Sequence, residues 1–98
     1  MMIRIVKMTF DPSRVIEFEE LFDKNKHKIR AFQGCTHLEL LHDINVPNIY
    51  FTYSYWEDPK YLEMYRGSDL FAEVWSNTKK LFSGKPEAWS VEQKIILD

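Results

Sequence analysis

The chain has one cysteine, Cys35, among its 98 residues. That excludes an internal disulfide and any zinc or iron–sulfur site built on several thiolates. Glycine and proline are scarce, at three and four, and no glycine-rich phosphate loop, linker, repeat or low-complexity stretch appears. Neither sign of charge dominates. Thirteen Lys and Arg against fifteen Asp and Glu leave −2, so the footprint of a nucleic-acid binder is missing and no nucleic-acid partner is expected. No apolar run approaches the roughly 20 residues that cross a membrane. The opening MMIRIVKMTF is too short in its apolar part for a signal peptide and reads better as a strand. The expectation is a cytoplasmic protein with no membrane partner. His27, His37 and His42 show no metal-ligand spacing, and no Ser-His-Asp order or paired-carboxylate motif is present. Aromatic residues are abundant, at 15%.

Length and composition fit one domain over 1–98, which buries roughly 65% of its unfolded surface. Met2 to Phe10 is rich in β-branched residues and reads as a strand, with Ile3 and Ile5 on one face and Val6, Met8 and Phe10 on or near the other. Asp11-Pro12 supplies an N-cap and a first-turn proline for a helix. That helix carries Val15, Phe18, Phe22, Asn25 and Ile29 along one face, with Glu17, Glu19 and Glu20 early and Lys24, Lys26, Lys28 and Arg30 late. Gly34 closes this region. Cys35 to His42 and Ile49 to Trp56 read as strands joined across Asp43 to Asn48, a hairpin with turn chemistry. Asp58-Pro59 opens a short helix that stops at Gly67. Ser68 caps another, with Leu70, Phe71, Val74, Trp75, Thr78 and Leu81 or Phe82, ended by Gly84 and Pro86. Ala88 to Leu97 is the last strand.

The order is β-α-β-β-α-β with the second helix broken in two. It predicts an α+β, ferredoxin-like fold: a four-stranded antiparallel sheet with both helices on one face. Because the strands are apolar and aromatic on both sides, a second sheet packed on the open face is expected, and hence a homodimer.

Several segments in this order resemble the antibiotic biosynthesis monooxygenase domain of the dimeric α+β barrel superfamily. They are MIRIVKMTFDP, the helix with Phe18 and Phe22, Phe32-Gln-Gly34-Cys35, the strand through Leu38 to Leu41, the aromatic strand ending Tyr55-Trp56, Ser68-Asp69-Leu70-Phe71 leading into Trp75, and Lys80-Leu-Phe82 before Pro86. The resemblance covers nearly the whole chain. It implies pairing into a dimeric barrel and oxidation of aromatic or quinol-like compounds by molecular oxygen without metal or flavin, so no cofactor is expected. Related haem degraders resemble the chain around Tyr65 to Phe71. They carry an Asn on the first strand, a Trp before the Ser-Asp segment and a His on the next helix. Val6 or Lys7, Tyr65 and Trp75 stand there instead, and the family's frequent His early in the helix after the third strand is absent. Haem degradation is therefore not implied.

Oxidation by dioxygen without a cofactor needs an electron-rich substrate held in a dry pocket, a base or acceptor, and donors for the developing anion. Tyr65, Asn25 and His37 are the candidate catalytic residues. Tyr53, Tyr55, Trp56, Phe71 and Trp75 are the candidate walls for a planar small hydrophobic or aromatic ligand. Each also has a structural reading: aromatics at these spacings build cores, an amide on an apolar stripe can be a satisfied core group, and a lone His is commonly a surface residue. Cys35 has no neighbouring base in sequence. Two functions fit, a cofactor-free monooxygenase and a non-catalytic dimeric module that binds a small ligand or serves a structural role.

Overall fold

The computed structural model describes residues 1–98. Its elements are β1 (Met2–Thr9), a 3₁₀ turn (Pro12–Arg14), α1 (Val15–Arg30), β2 (Cys35–His42), β3 (Ile49–Trp56), α2 (Pro59–Arg66), α3 (Asp69–Lys79) and β4 (Glu87–Glu92). The strands form one antiparallel sheet in the order β2-β3-β1-β4, as the sequence order requires.

Local chemistry sets the element ends. Asp58 Oδ1 accepts from the Lys60 amide at 2.9 Å and starts α2 with Pro59 in its first turn. The Ser68 hydroxyl donates to the Tyr65 carbonyl at 2.6 Å and accepts from the Phe71 amide at 3.1 Å. One side chain thus ends α2 and caps α3. Gly34 sits at φ +85°, a left-handed turn that favours glycine. The Asp11-Pro12 signal opens the 3₁₀ turn rather than α1. Asp11 Oδ1 accepts from the Ser13 amide at 2.9 Å, and α1 proper begins at Val15.

Three boundaries differ from the sequence reading. Phe10 lies just past β1 and makes an isolated bridge to Phe82. Leu81 and Phe82 lie beyond α3. The last strand spans Glu87–Glu92, not Ala88 to Leu97. β4 is an edge strand whose one neighbour is β1. Met2 pairs with Glu92, and the final bond runs from the Gln93 amide to the Met1 carbonyl at 3.4 Å. Beyond that point the partner strand has ended.

Met2, Arg4, Val6 and Met8 of β1 and Tyr50, Thr52, Ser54 and Trp56 of β3 turn towards the helices. Two buried clusters stand at the ends of this layer: Met2, Ile29, Cys35, Trp56, Leu62 and Tyr65 at one, and Met8, Phe10, Phe18, Tyr50 and Leu81 at the other. Between them the sheet carries the cross-strand pairs Arg4–Ser54, Val6–Thr52 and Val6–Ala88. Short side chains in these middle rows do not reach the helices, and the space above them stays open.

Candidate functional site

That space is a cavity of about 300 Å³. Its floor is the sheet: Arg4, Val6 and Met8, with Leu38, Thr52, Ser54, Trp56 and Ala88. Its roof is Phe18, Phe22 and Ile29 of α1, Leu62, Tyr65 and Arg66 of α2, and Phe71, Val74, Trp75 and Thr78 of α3. The Phe71 and Trp75 rings lie nearly parallel, 9° apart with centroids at 5.9 Å, since four residues along a helix bring them onto one face.

Most polar groups here are already engaged. Thr78 Oγ1 donates to the Val74 carbonyl at 2.7 Å, and Ser54 Oγ accepts from Trp56 Nε1 at 3.0 Å. Tyr65 is different. It is 9% exposed, stacked on Trp56 and edge-on to Phe32 and Phe71. Its hydroxyl has no partner within the chain, as is true of Thr52 on the floor, and since no fully buried side-chain oxygen lacks a partner, the phenol oxygen keeps some accessible surface. Burial, with a smaller contribution from Cys35, pushes it up to about 12. At neutral pH it is an O–H donor, not a base. Burial also pushes the Cys35 thiol up, against the pull of its bond to the His37 carbonyl and of Arg30. A thiol in that state is a poor nucleophile.

Arg4 brings a charge to the floor. Its half-buried guanidinium donates to Ser90 Oγ at 3.0 Å. Desolvation and then Arg66 hold its pKa below the ordinary arginine value, with Glu63 opposing them. Arg66 itself donates to Glu63 Oε1 at 3.3 Å. No three His, Cys, Asp or Glu side chains converge as a metal site would need.

The sequence candidates separate into three places. Tyr65, Trp56, Phe71 and Trp75 meet in the cavity. Tyr53, Tyr55 and His37 stand on the opposite, open face of the sheet. There His37 Nε2 lies 2.9 Å from Glu39 Oε2, and the Tyr55 ring sits 4.7 Å from His37 and 5.5 Å from Tyr53. Asn25 is buried but lies off the cavity wall, and its amide donates one turn back to the Leu21 carbonyl at 2.9 Å.

A family model described as antibiotic biosynthesis monooxygenase matches residues 1–75. The chain belongs to the antibiotic biosynthesis monooxygenase family. No curated protein sequence matches it. Solved structures share the fold at low identity. A conserved protein from Methanosarcina mazei Go1 is 23% identical, with a TM-score of 0.88 over 95% of this chain and 93% of that one. A protein described as an antibiotic biosynthesis monooxygenase is 15% identical, with a TM-score of 0.90 over 97% and 100%. Rv0793 from Mycobacterium tuberculosis is 14% identical, with a TM-score of 0.88 over 99% and 98%. At these identities the structural likeness shows the fold alone. The antibiotic biosynthesis monooxygenase match ends at Trp75, so it takes in β1 to β3, α2 and most of the cavity roof.

In this family member, sequence reasoning missed Arg4 and Arg66. Arg4 did carry a signal. It shares strand parity with Met2, Val6, Met8 and Phe10, the face that must meet the helices. A charge on that parity is costly unless something answers it. Arg66 carried none, because nothing local shows that the end of α2 leans over the sheet.

Proposed function

We propose that the chain is a cofactor-independent monooxygenase that oxidises an electron-rich aromatic or quinol-like small molecule with dioxygen in this cavity. The supporting observation is an apolar chamber whose wall carries Tyr65, a largely buried residue with an unpartnered hydroxyl, and the Arg4 guanidinium. The ring hydroxyl gives its proton to solvent, one oxygen atom of dioxygen enters the ring, and the other leaves as water with two substrate hydrogens, the quinol itself being the reductant. A deprotonated ring loses an electron to dioxygen more readily than a neutral one, so the protein's part is to stabilise the anion. Tyr65 donates a hydrogen bond to the ring oxygen, Arg4 supplies positive charge, and the apolar walls keep water from weakening both. Phe71 and Trp75 hold the ring plane, and the fully buried Trp56 lies behind Tyr65.

Tyr65→Phe keeps the ring and deletes the donor. Oxygen uptake with a panel of quinols is expected to fall about tenfold, the equivalent of one lost hydrogen bond of about 1.4 kcal/mol, with an unchanged thermal midpoint. Full activity in the variant would remove Tyr65 from the site. A second reading, a non-catalytic ligand-binding module, is favoured by the titratable groups on the wall: Arg4, Tyr65, Arg66 and Glu87, with no imidazole among them. Ligand binding without oxygen uptake would select it.

The domain, residues 1–98, works in the cytoplasm as a homodimer with two sheets packed through their open faces. Ile5, Phe51, Tyr53 and Tyr55 there are half-buried, and Trp89 and Val91 are 44% and 42% exposed. Such a contact covers well above about 1,000 Å² in total. Light scattering at micromolar concentration is expected to give twice the 11.8 kDa chain mass, and Trp89→Glu to reduce it to one. A wild-type monomer would reject the dimer.

A further inference from the structure

We propose that the cavity's ligand is an anion, a planar aromatic acid whose carboxylate is bound by Arg4 with Arg66 beside it. This rests on the cavity being the working site, and it adds the charge of the ligand to that reading.

Arg4 stands in the middle of β1 between Ile3 and Ile5, on the parity that faces the helices. Arg4 is half-buried and its guanidinium loses part of its hydration, a loss that a carboxylate partner normally answers. Here it is not. Of its five N–H donors, the one with a partner gives to Ser90 Oγ, a neutral acceptor at 3.0 Å.

The nearby acids are engaged elsewhere. Glu63 holds Arg66 at 3.3 Å from an exposed position, and Glu87 faces Lys7 at 3.9 Å. Arg4, Arg66 and Lys7 against Glu63 and Glu87 leave one positive charge, and it falls on the residue in the cavity floor. Burial and Arg66 press on that charge in the same direction, and the more distant Glu63 carboxylate opposes them without bonding to it.

The rest of the wall selects the ligand's body. Thirteen of the twenty lining residues are hydrophobic, and the parallel Phe71 and Trp75 rings offer a flat surface. A cationic ligand would meet like charge at Arg4. A neutral one would cover the half-buried guanidinium further and leave it without a carboxylate. A carboxylate on an aromatic ring satisfies both ends, because the fork of N–H groups matches the two carboxylate oxygens.

The test compares 2-naphthoate with 2-naphthamide, two probes of nearly equal shape that differ in charge. Binding is read by calorimetry and by the fluorescence of Trp56 and Trp75. The naphthoate is expected to bind about tenfold or more tighter, the usual scale for a hydrogen bond to a charged group. Arg4→Met should erase that preference by weakening naphthoate binding much more than naphthamide binding, and Arg4→Lys should keep part of it. Should Arg4→Met lose its fold by circular dichroism, Arg66→Met carries the test: the exposed residue can be changed safely, and the preference should shrink. Equal affinity for the two probes in the wild-type protein would overturn the anionic ligand while leaving the cavity as the site. A naphthoate preference that survives Arg4→Met would overturn the assignment to Arg4. If neither probe binds, the reading of the cavity as the site fails, and this inference with it.

Discussion

Trp56→Ala is expected to destabilise the protein by about 3–5 kcal/mol, the range for truncating a fully buried large aromatic. Trp56 has 0% exposure, stacks on Tyr65 at 5.4 Å and meets Phe32 edge-on at 6.5 Å. Its indole N–H bonds Ser54 Oγ at 3.0 Å, so truncation also strips a buried hydroxyl of its donor. Total stability for a domain of this size is about 5–15 kcal/mol, so the change consumes a large share of it. At about 4–8 °C per kcal/mol, the thermal midpoint should drop by roughly 12–40 °C. Trp56→Phe retains a ring in the cluster and should lose less. A urea melt that leaves the Trp56→Ala midpoint in place would mean that the ring is not core. The functional consequence follows from position, because Trp56 packs under Tyr65 and holds it at the cavity wall. Loss of ligand binding should therefore accompany the loss of stability.

Gly34→Ala is expected to cost about 2–5 kcal/mol. A Cβ there would run into the Cβ and ring carbons of Tyr61, an overpacking penalty of about 1–3 kcal/mol. The left-handed backbone at φ +85° adds about 1–2 kcal/mol for any L side chain. Tyr61 lies in the first turn of α2, the helix that carries Tyr65 and Arg66, so pushing it away tilts two cavity residues. Gly67→Ala is the matched control. Its Cβ would meet the Glu63 carbonyl oxygen at 3.5 Å, ordinary contact with no left-handed backbone, and the change should stay within about 0.5 kcal/mol. Equal denaturation midpoints for the two variants would show that neither the Tyr61 contact nor the backbone conformation at Gly34 matters.

Element order, the Asp58-Pro59 start, the Ser68 cap, the hairpin and the family membership were legible in the chain, because each is written over a few neighbouring residues, while Asp11-Pro12 marked a 3₁₀ turn ahead of α1 rather than α1 itself. Strand parity was legible too. By alternation Tyr53 and Tyr55 fall on the face opposite Trp56, and Arg4 shares the parity of Val6 and Met8. The reach of the last strand was not legible. Its end depends on where β1 stops, some ninety residues earlier in the chain.

The cavity itself belongs to the tertiary structure. It exists because Arg4, Val6, Thr52, Ser54 and Ala88, from three strands, fall in adjacent rows with short or outstretched side chains beneath two core clusters. No single segment contains that coincidence. Asn25 shows the same division. Its place on the apolar stripe of α1 was readable, but whether its amide faced a cavity or the helix's own backbone was a matter of packing, and the Leu21 carbonyl one turn back took it. Local sequence determined the elements and the faces they bury. The pairing register and the volumes that meet across the layer decided which buried polar groups, Asn25, Ser54 and Thr78, found partners inside the chain.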